Sequence, residues 1–214
     1  MKTGILSALP EELGPWSKGR GFERQGLTFY HCEHAGEEVL ACSGGIGKVR
    51  AARAATLLVE EGIERLLVVG TCGGLRRHLG PGEFVHCTRA AQTDLGLREG
   101  REVDSDPDLL ASWRDLVPGR AGWFLTADRA VMSSWRRMRL ARAFAGDCVA
   151  EMETAAAALV AREAAIPWAA LRAVTDRAGN LTPASFRLNF PEQAPRAAAT
   201  VSLLLERLSG PGRG

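Results

Sequence analysis

The chain lacks the features of several large classes of protein. It contains no run of about 18 apolar residues, and its start, Met1-Lys2-Thr3, leads into an apolar segment too short for a signal peptide. We therefore expect a soluble protein without a membrane partner. Lys and Arg number 27 against 25 Asp and Glu and form no basic stripe, which disfavours nucleic-acid binding. The five cysteines include no CxxC pair, and their odd number favours reduced thiols and a cytoplasmic location.

Several motifs that carry chemistry are also absent. The glycine-rich run at 44–47 lacks the third glycine of a dinucleotide fingerprint, and Cys42 and Val49 occupy positions where a Walker motif needs Gly and Ser or Thr. No GxSxG nucleophile elbow occurs. In the segment 31–34 (HCEH), neighbouring side chains would face opposite sides of a strand, and no second ligand pair follows. We predict neither a metal site nor a cofactor, and the run at 44–47 is either a ligand-binding loop or a structural turn.

Short apolar runs alternate with helical stretches along the chain. Residues 66–69 form a continuous apolar run typical of a central parallel strand, and residues 27–30 and 38–42 indicate a hairpin. The last helix is predicted over about 193–208. The pattern predicts an α/β fold: one α/β/α sandwich over residues 1–208, with a central mixed, mainly parallel sheet. The Gly-rich tail 209–214 is expected to be disordered.

Carboxylates and small polar residues follow several of the predicted strands. They are Glu11 and Glu12, the run 70–74, Glu151 and Glu153, and Thr175 and Asp176. Each has an ordinary structural explanation alone, since Asp176 can cap a helix and Glu12 can favour a helix N-terminus. In open α/β sheets, however, ligands bind beyond the carboxyl ends of the strands. Acids gathered there suit cleavage of an N-glycosidic bond, in which the leaving base is protonated and water or phosphate attacks an oxocarbenium-like sugar.

Five segments, in this order, resemble the methylthioadenosine/S-adenosylhomocysteine nucleosidases within the purine and uridine phosphorylase superfamily. They are residues 4–12, 43–49, 70–75 with 79–83, 150–155 and 172–176. The ordered set spans nearly the whole chain and is specific to the superfamily. The resemblance implies a nucleoside phosphorylase-like fold and a purine nucleosidase that hydrolyses a 5'-modified adenosine. It also implies a nucleoside as the small-molecule partner, and a homodimer in which the neighbouring subunit closes the pocket.

The resemblance implies a role for each site residue. Asp176 would protonate purine N7, which requires a proton held near neutral pH, and Glu12 would stay ionised to activate the attacking water. Glu153 would hold the ribose hydroxyls, with Met152 beneath the ring and Thr71 beside the sugar. The other substrate-binding residues that the resemblance implies are Gly73, Phe186, Val131, Ile46 and Leu9, and among these Phe186 matches an aromatic residue that covers the ligand.

Two departures from the family pattern keep alternatives open. Ala130, beside Arg129, stands where the family usually stacks an aromatic residue on adenine, so futalosine or adenosylhopane are alternative substrates. The run 70–73 resembles the version found in phosphate-dependent purine nucleoside phosphorylases. The phosphorylases' anion-binding arginines are nevertheless replaced, by Val68-Val69 and by the segment 9–12, and Glu12 would repel phosphate. A third hypothesis is an inactive nucleoside-binding protein with this fold, and the presence of Glu12, Glu153 and Asp176 makes it the least favoured of the three.

Overall fold

Ten strands form one sheet in the computed structural model, which describes residues 1–96 and 101–210. The strands are β1 (Lys2–Ser7), β2 (Arg20–Arg24), β3 (Leu27–His34), β4 (Glu37–Ser43), β5 (Arg65–Gly74), β6 (Phe84–Gln92), β7 (Glu102–Asp104), β8 (Arg120–Thr126), β9 (Asp147–Glu151) and β10 (Trp168–Asp176). The helices are α1 (Lys48–Glu60), α2 (Pro107–Leu116), α3 (Ser134–Ala143), α4 (Thr154–Glu163), α5 (Thr182–Gln193), α6 (Arg196–Ala199) and α7 (Val201–Ser209). A 3-10 segment, Pro10–Lys18, is interrupted at Gly14.

Five of the strands close into a ring. β5 pairs with β10, which continues through β6, β8 and β9 back to the end of β5 at Gly73 and Gly74. On its other side β5 pairs with β1, and β4, β3 and β2 extend the sheet outward. The sheet is mixed, as expected, but its predicted mainly parallel character is not confirmed. Five pairings are parallel and five are antiparallel. The apolar pattern indicated only the β3–β4 hairpin among the antiparallel pairings, and not β2–β3, β5–β9, β6–β7 or β6–β10.

Helices cover both faces of this sheet. Side chains alternate along a strand, so Leu66 and Val68 of β5 pack beneath α1 and α4, whereas Leu67 and Val69 pack against the helices of the opposite face. The Ala-rich sequence of α4 keeps that helix close to the strands, because small side chains permit a short approach. The continuous apolar run at 66–69 therefore reflects burial on both faces, as predicted.

The C-terminal region differs from the predicted single helix over 193–208. α5 ends at Gln193, and α6 and α7 follow as separate pieces on either side of Thr200. Pro195 contributes to the interruption, since proline has no N–H for a helical hydrogen bond. Of the predicted tail, Ser209 ends α7 and its hydroxyl donates to Glu37 Oε1 at 3.0 Å. Residues 211–214 lie outside the described part of the chain.

The five cysteines are free thiols, and all except Cys32 are buried. Burial raises the pKa of Cys42 to about 12, so this thiol stays protonated and behaves as a small apolar core residue. Among residues 1–96 and 101–210, no helix has both the length and the apolar character needed to cross a membrane.

His86 is a fully buried imidazole in β6. Its Nε2 lies 2.9 Å from the Val117 carbonyl oxygen, and its ring meets Trp113 edge to face at 6.3 Å. Nδ1 has no hydrogen-bond partner among the described atoms. Burial lowers the pKa of His86 from its ordinary value of 6.5, with Arg114 adding to the effect and the Val117 bond opposing it. The folded protein therefore holds this imidazole in its neutral form.

We predict that His86 makes the protein less stable in mild acid. As pH falls below the ordinary histidine pKa, the unfolded chain binds a proton that the native state excludes, so stability declines by at most about 1.4 kcal/mol per pH unit. His86→Gln keeps an N–H for Val117 but does not titrate. Urea unfolding between about pH 7.5 and 5.5 should show a shallower decline for this variant. Equal slopes for the variant and the wild type would contradict the prediction.

Candidate active site

The carboxyl ends of the strands open into one cavity of about 620 Å³. All ten residues that the sequence analysis assigned to reaction or substrate binding line it. They are Leu9, Glu12, Ile46, Thr71, Gly73, Val131, Met152, Glu153, Asp176 and Phe186. A volume of this size suits a small organic ligand. The acids are therefore close enough to contact one bound molecule, whereas their individual roles stay predictions.

Glu12 joins the ends of β1 and β5. The 3-10 segment begins just after β1 and turns the Glu12 carboxylate back, so that Oε2 accepts from the amides of Ala8 at 3.2 Å and Leu9 at 3.1 Å. Oε1 accepts from both the amide and the hydroxyl of Thr71, each at 2.8 Å. Glu12 is 2% exposed. Four donors directed at its oxygens therefore fix the position of this side chain.

Gly70 makes room for this arrangement. It lies within β5 at φ +147°, a backbone conformation that residues with a side chain rarely adopt. A Cβ at this position would lie 2.9 Å from both Arg172 Nη1 and Glu12 Oε1. Arg172 is also the register partner of Gly70 across the β10–β5 pair. The strand therefore needs glycine here because two charged side chains occupy the space beside it.

Arg172 is a buried cation in the floor of the cavity. Its Nη2 lies 2.9 Å from Glu151 Oε2 and 3.2 Å from Glu153 Oε2, and its Nη1 donates to the Thr71 carbonyl oxygen at 2.9 Å. Burial alone would lower the pKa of Arg172, but Glu151, Glu153 and Glu12 outweigh it and raise the pKa. No role was predicted for this residue, although a lone arginine within the apolar run 168–174 was the available signal in the sequence.

Glu153 directly precedes α4 and is 5% exposed. Its Oε1 accepts from the amide of Gly47 at 3.0 Å. Burial raises the pKa of Glu153 to about 7, with Glu151 adding to the rise and Arg172 opposing it. The glycine-rich run at 44–47 thus delivers a backbone amide to the protein's own carboxylate.

Glu151, two residues earlier, organises the same helix start. Its Oε2 accepts from the amides of Glu153 at 2.9 Å and Thr154 at 2.7 Å, and its Oε1 bonds to the Thr126 hydroxyl. A carboxylate at a helix N-terminus satisfies amides that lack partners within the helix. The paired acids of the sequence thus differ in their contacts: Glu151 holds α4 and Arg172, whereas Glu153 joins α4 to the glycine-rich run.

Asp176 ends β10, where a register shift against β5 redirects the chain. Its Oδ1 accepts from the Ala178 amide at 2.7 Å and the Thr182 hydroxyl at 2.9 Å. Its Oδ2 lies 2.9 Å from the Thr175 hydroxyl oxygen, which also lies 3.2 Å from the Cys72 carbonyl oxygen. Asp176 is 4% exposed. Two different elements, β10 and the start of α5, therefore hold this carboxyl group at the cavity wall.

Comparison with known proteins places this geometry in a family. The family model described as "Phosphorylase superfamily" matches residues 2–209. The chain belongs to the phosphorylase superfamily. The predicted resemblance is therefore confirmed, and the superfamily match spans both the cavity and the sheet that forms it.

Relatives within the superfamily carry nucleosidase names. The chain is 28% identical over 200 residues to the aminodeoxyfutalosine nucleosidase of Campylobacter jejuni, covering 84% of this chain and 87% of that protein. It is 27% identical over 230 residues to the 5'-methylthioadenosine/S-adenosylhomocysteine nucleosidase of Shewanella pealeana, covering 97% of this chain and 100% of that protein. The structure of S-adenosylhomocysteine nucleosidase from Streptococcus pyogenes, in complex with 5-methylthiotubericidin, matches with a TM-score of 0.90 and 26% identity over 97% of each chain. Native futalosine hydrolase of Helicobacter pylori, at 21% identity and TM-score 0.91 over 97% of this chain and 98% of that one, shows the same fold.

The cavity wall around Ala130 carries few aromatic side chains. Ala130, at the position where the family resemblance implies an aromatic residue, lines the cavity between Arg129 and Val131. Phe186 is the one aromatic residue among the described lining residues, and its ring packs against Phe190 at 4.7 Å. A ligand that lies against this wall thus contacts mainly aliphatic and guanidinium groups.

We predict that Gly70→Ala destabilises the protein much more than Gly36→Ala. Gly36 also has positive φ, at +74°, but no atom lies within 4 Å of its Cβ position. The Gly36 change should therefore cost about 1 kcal/mol of strain alone, and Gly70→Ala about 3 kcal/mol or more because it also displaces Arg172 and Glu12. Urea denaturation of both variants measures the difference. Similar losses would show that the space beside Gly70 is not needed.

Proposed function

We propose that the protein is a purine nucleosidase that hydrolyses the N-glycosidic bond of a 5'-modified adenosine-type nucleoside. The observation that carries this proposal is the meeting of Glu12, Glu153 and Asp176 in one cavity of about 620 Å³. Nucleosidase names among relatives that span nearly the whole chain agree with it. The sequence-based prediction was the same enzyme class.

In the proposed reaction Asp176 is the general acid. It donates a proton to purine N7 as the N-glycosidic bond breaks and the bonding electron pair moves into the purine. The sugar becomes oxocarbenium-like, and a water oxygen forms the new bond to the anomeric carbon. Glu12 accepts the proton that this water loses. Exchange with solvent then returns Asp176 to its acid form and Glu12 to its carboxylate form, so the net change is addition of one water.

The remaining residues hold the sugar and stabilise its positive charge. Glu153 accepts hydrogen bonds from the ribose hydroxyls, Met152 lies beneath the ring, and Thr71 lies beside the reacting carbon. Carboxylates fixed before the reaction stabilise a cationic transition state more than the neutral nucleoside, and this difference accelerates the reaction. Gly73, Leu9, Ile46, Val131 and Phe186 complete the proposed binding surface.

Water rather than phosphate is the proposed nucleophile. Glu12 occupies the position beside Thr71 where the nucleophile would enter, and a carboxylate there repels phosphate. Arg172 is engaged by Glu151, Glu153 and Thr71. The other cations of the described lining, Arg129 and Arg187, are exposed. A phosphate-dependent phosphorylase is thus the less favoured alternative.

A futalosine-type nucleoside is the second candidate substrate. One relative carries the name aminodeoxyfutalosine nucleosidase. The cavity wall at Ala130 offers no aromatic side chain to stack on adenine. The exposed Arg129 guanidinium beside it is able to stack on a ring or bind a carboxylate. Profiling with methylthioadenosine, adenosylhomocysteine, futalosine and inosine distinguishes the candidates.

We also propose a cytoplasmic homodimer. Large apolar side chains are exposed around the cavity mouth, including Ile46 at 48%, Met132 at 56% and Trp135 at 65%. Leu181 lies beside them, because Asn180 Oδ1 accepts from the Ser134 amide at 3.2 Å. Large apolar side chains that stay exposed near a cavity mouth are typical of a protein interface. A second subunit placed here would cover the mouth, and the reduced cysteines support the cytoplasmic location.

Release of free base, measured with and without inorganic phosphate, tests the proposed reaction. We expect equal rates in both conditions and free ribose-type sugar as the product. Asp176→Asn should lower kcat by about 100-fold or more, because it removes the general acid, while ligand binding is retained. Asp115→Asn, an exposed position on α2, is the matched control and should behave as the wild type. A requirement for phosphate, or full activity in Asp176→Asn, would overturn the proposal.

We predict an acidic decline in kcat/KM that is controlled by Glu153. Its pKa is raised to about 7, so the group becomes neutral as pH falls through that region and no longer binds the ribose hydroxyls as a carboxylate. Activity should therefore fall below about pH 7. Glu153→Gln, which is neutral at every pH, should have low activity and lack this decline. An unchanged pH profile in the variant would assign the decline to another group.

A further inference from the structure

Two loops at the cavity mouth meet at the lysine that begins α1. We define the Lys48 cluster as Lys48, the first residue of α1, together with Asp94 and Asp128, which lie in the loops that follow β6 and β8. Lys48 Nζ lies 2.6 Å from Asp94 Oδ1 and 3.6 Å from Asp128 Oδ2. The Asp128 amide donates to Asp94 Oδ2 at 3.0 Å, so the two acids are also joined to each other. The proposed reaction uses none of these groups.

The cluster is partly shielded from solvent. The Lys48 side chain is 17% exposed and the Asp94 side chain 31% exposed. Burial acting alone would raise the pKa of Asp94, but the bonds from Lys48 and the Asp128 amide outweigh it, and the pKa is lowered. Partly buried ion pairs that belong to a network are stronger than isolated surface pairs. The cluster therefore has the character of a fixed connection between loops.

Two carboxylates, one from the cluster and one from the cavity, bind the amides at the start of α1. Asp128 Oδ1 accepts from the Lys48 amide at 2.9 Å, and the adjacent Gly47 amide donates to Glu153 Oε1 at 3.0 Å. Gly47 has φ +100°, and its Cβ position lies 3.3 Å from Asp128 Oδ1. Two consecutive amides are thus held by carboxylates from different elements. A shift of the loop at Lys48 would move the Gly47 amide away from Glu153.

We propose that the Lys48 cluster is a positioning device that holds the Gly47 amide against Glu153 and so orients this carboxylate toward the ribose. The proposal rests on the proposed function, since it assigns Glu153 to the sugar. Lys48, Asp94 and Asp128 are positioning residues that act through Gly47. Fixing a binding group before the ligand arrives improves affinity, because less order is lost on binding.

Steady-state kinetics separate positioning from general instability. Lys48→Met should raise KM about tenfold and also lower kcat by about threefold or more, because the loosened Glu153 holds the ribose less firmly and stabilises the cationic transition state less. Lys48→Arg should restore most of the affinity. The double variant Lys48→Met with Asp94→Asn should have the same KM as Lys48→Met, since both changes break the same Lys48–Asp94 ion pair. Lys2→Met is the matched control, because it breaks a Lys2–Glu38 pair of 2.9 Å whose lysine is 22% exposed, far from the cavity.

Hydrogen exchange of the ligand-free protein tests the same device without a substrate. Amides of residues 44–49 should exchange faster in Lys48→Met than in the wild type and Lys2→Met. Wild-type exchange together with wild-type KM in Lys48→Met would overturn the proposal. Equal losses of kcat/KM in Lys48→Met and Lys2→Met would also overturn it. Faster exchange in Lys48→Met, with a wild type that cleaves no nucleoside, would instead overturn the proposed function and leave the connection between the cluster and the loop in place.

Discussion

The buried guanidinium of Arg172 is the interaction on which the site depends. A cavity that brings Glu12, Glu151 and Glu153 together is electrostatically costly, because each carboxylate has lost most of its water. Arg172 lies within 3.2 Å of oxygens of both Glu151 and Glu153 and also bonds the Thr71 carbonyl. Without it, uncompensated buried charges would destabilise the fold by about 3–5 kcal/mol. The apolar strand β10 therefore carries one cation at the point where the acids converge.

This constraint shapes the backbone around it. Gly70 stands opposite Arg172 in the register of β5 and β10, and the missing side chain leaves space for the guanidinium and for Glu12. Glu12 can therefore accept hydrogen bonds from Thr71, the residue that follows Gly70 in β5. The sheet and the site are consequently coupled, since the glycine with positive φ in β5 also leaves space for the two charged side chains. A substitution in this strand affects stability and chemistry together.

The sequence predicts which acids meet, but not how their charges are balanced. Glu12, Glu153 and Asp176 were found because polar residues at the ends of strands gather at one edge of an α/β sheet. Arg172 stands out in the sequence as a lone charge in an apolar run, but its importance depends on the register that sets it against Gly70, which the local pattern does not show. The closed ring of strands was missed for a similar reason. The β5–β9 pairing that closes it involves only Gly73 and Gly74, which read as a turn.

The glycine-rich run shows how local signals acquire their meaning from the fold. Amides at the start of a helix are favourable sites for a phosphate or another anion. Here the Gly47 amide is bound by Glu153 and the Lys48 amide by Asp128, so the protein's own carboxylates occupy the positions that an anion would take. In the described structure the start of α1 is therefore a support for Glu153. A cavity whose helix amides are already occupied, and whose proposed nucleophile position is bordered by Glu12, is better suited to an attacking water than to phosphate.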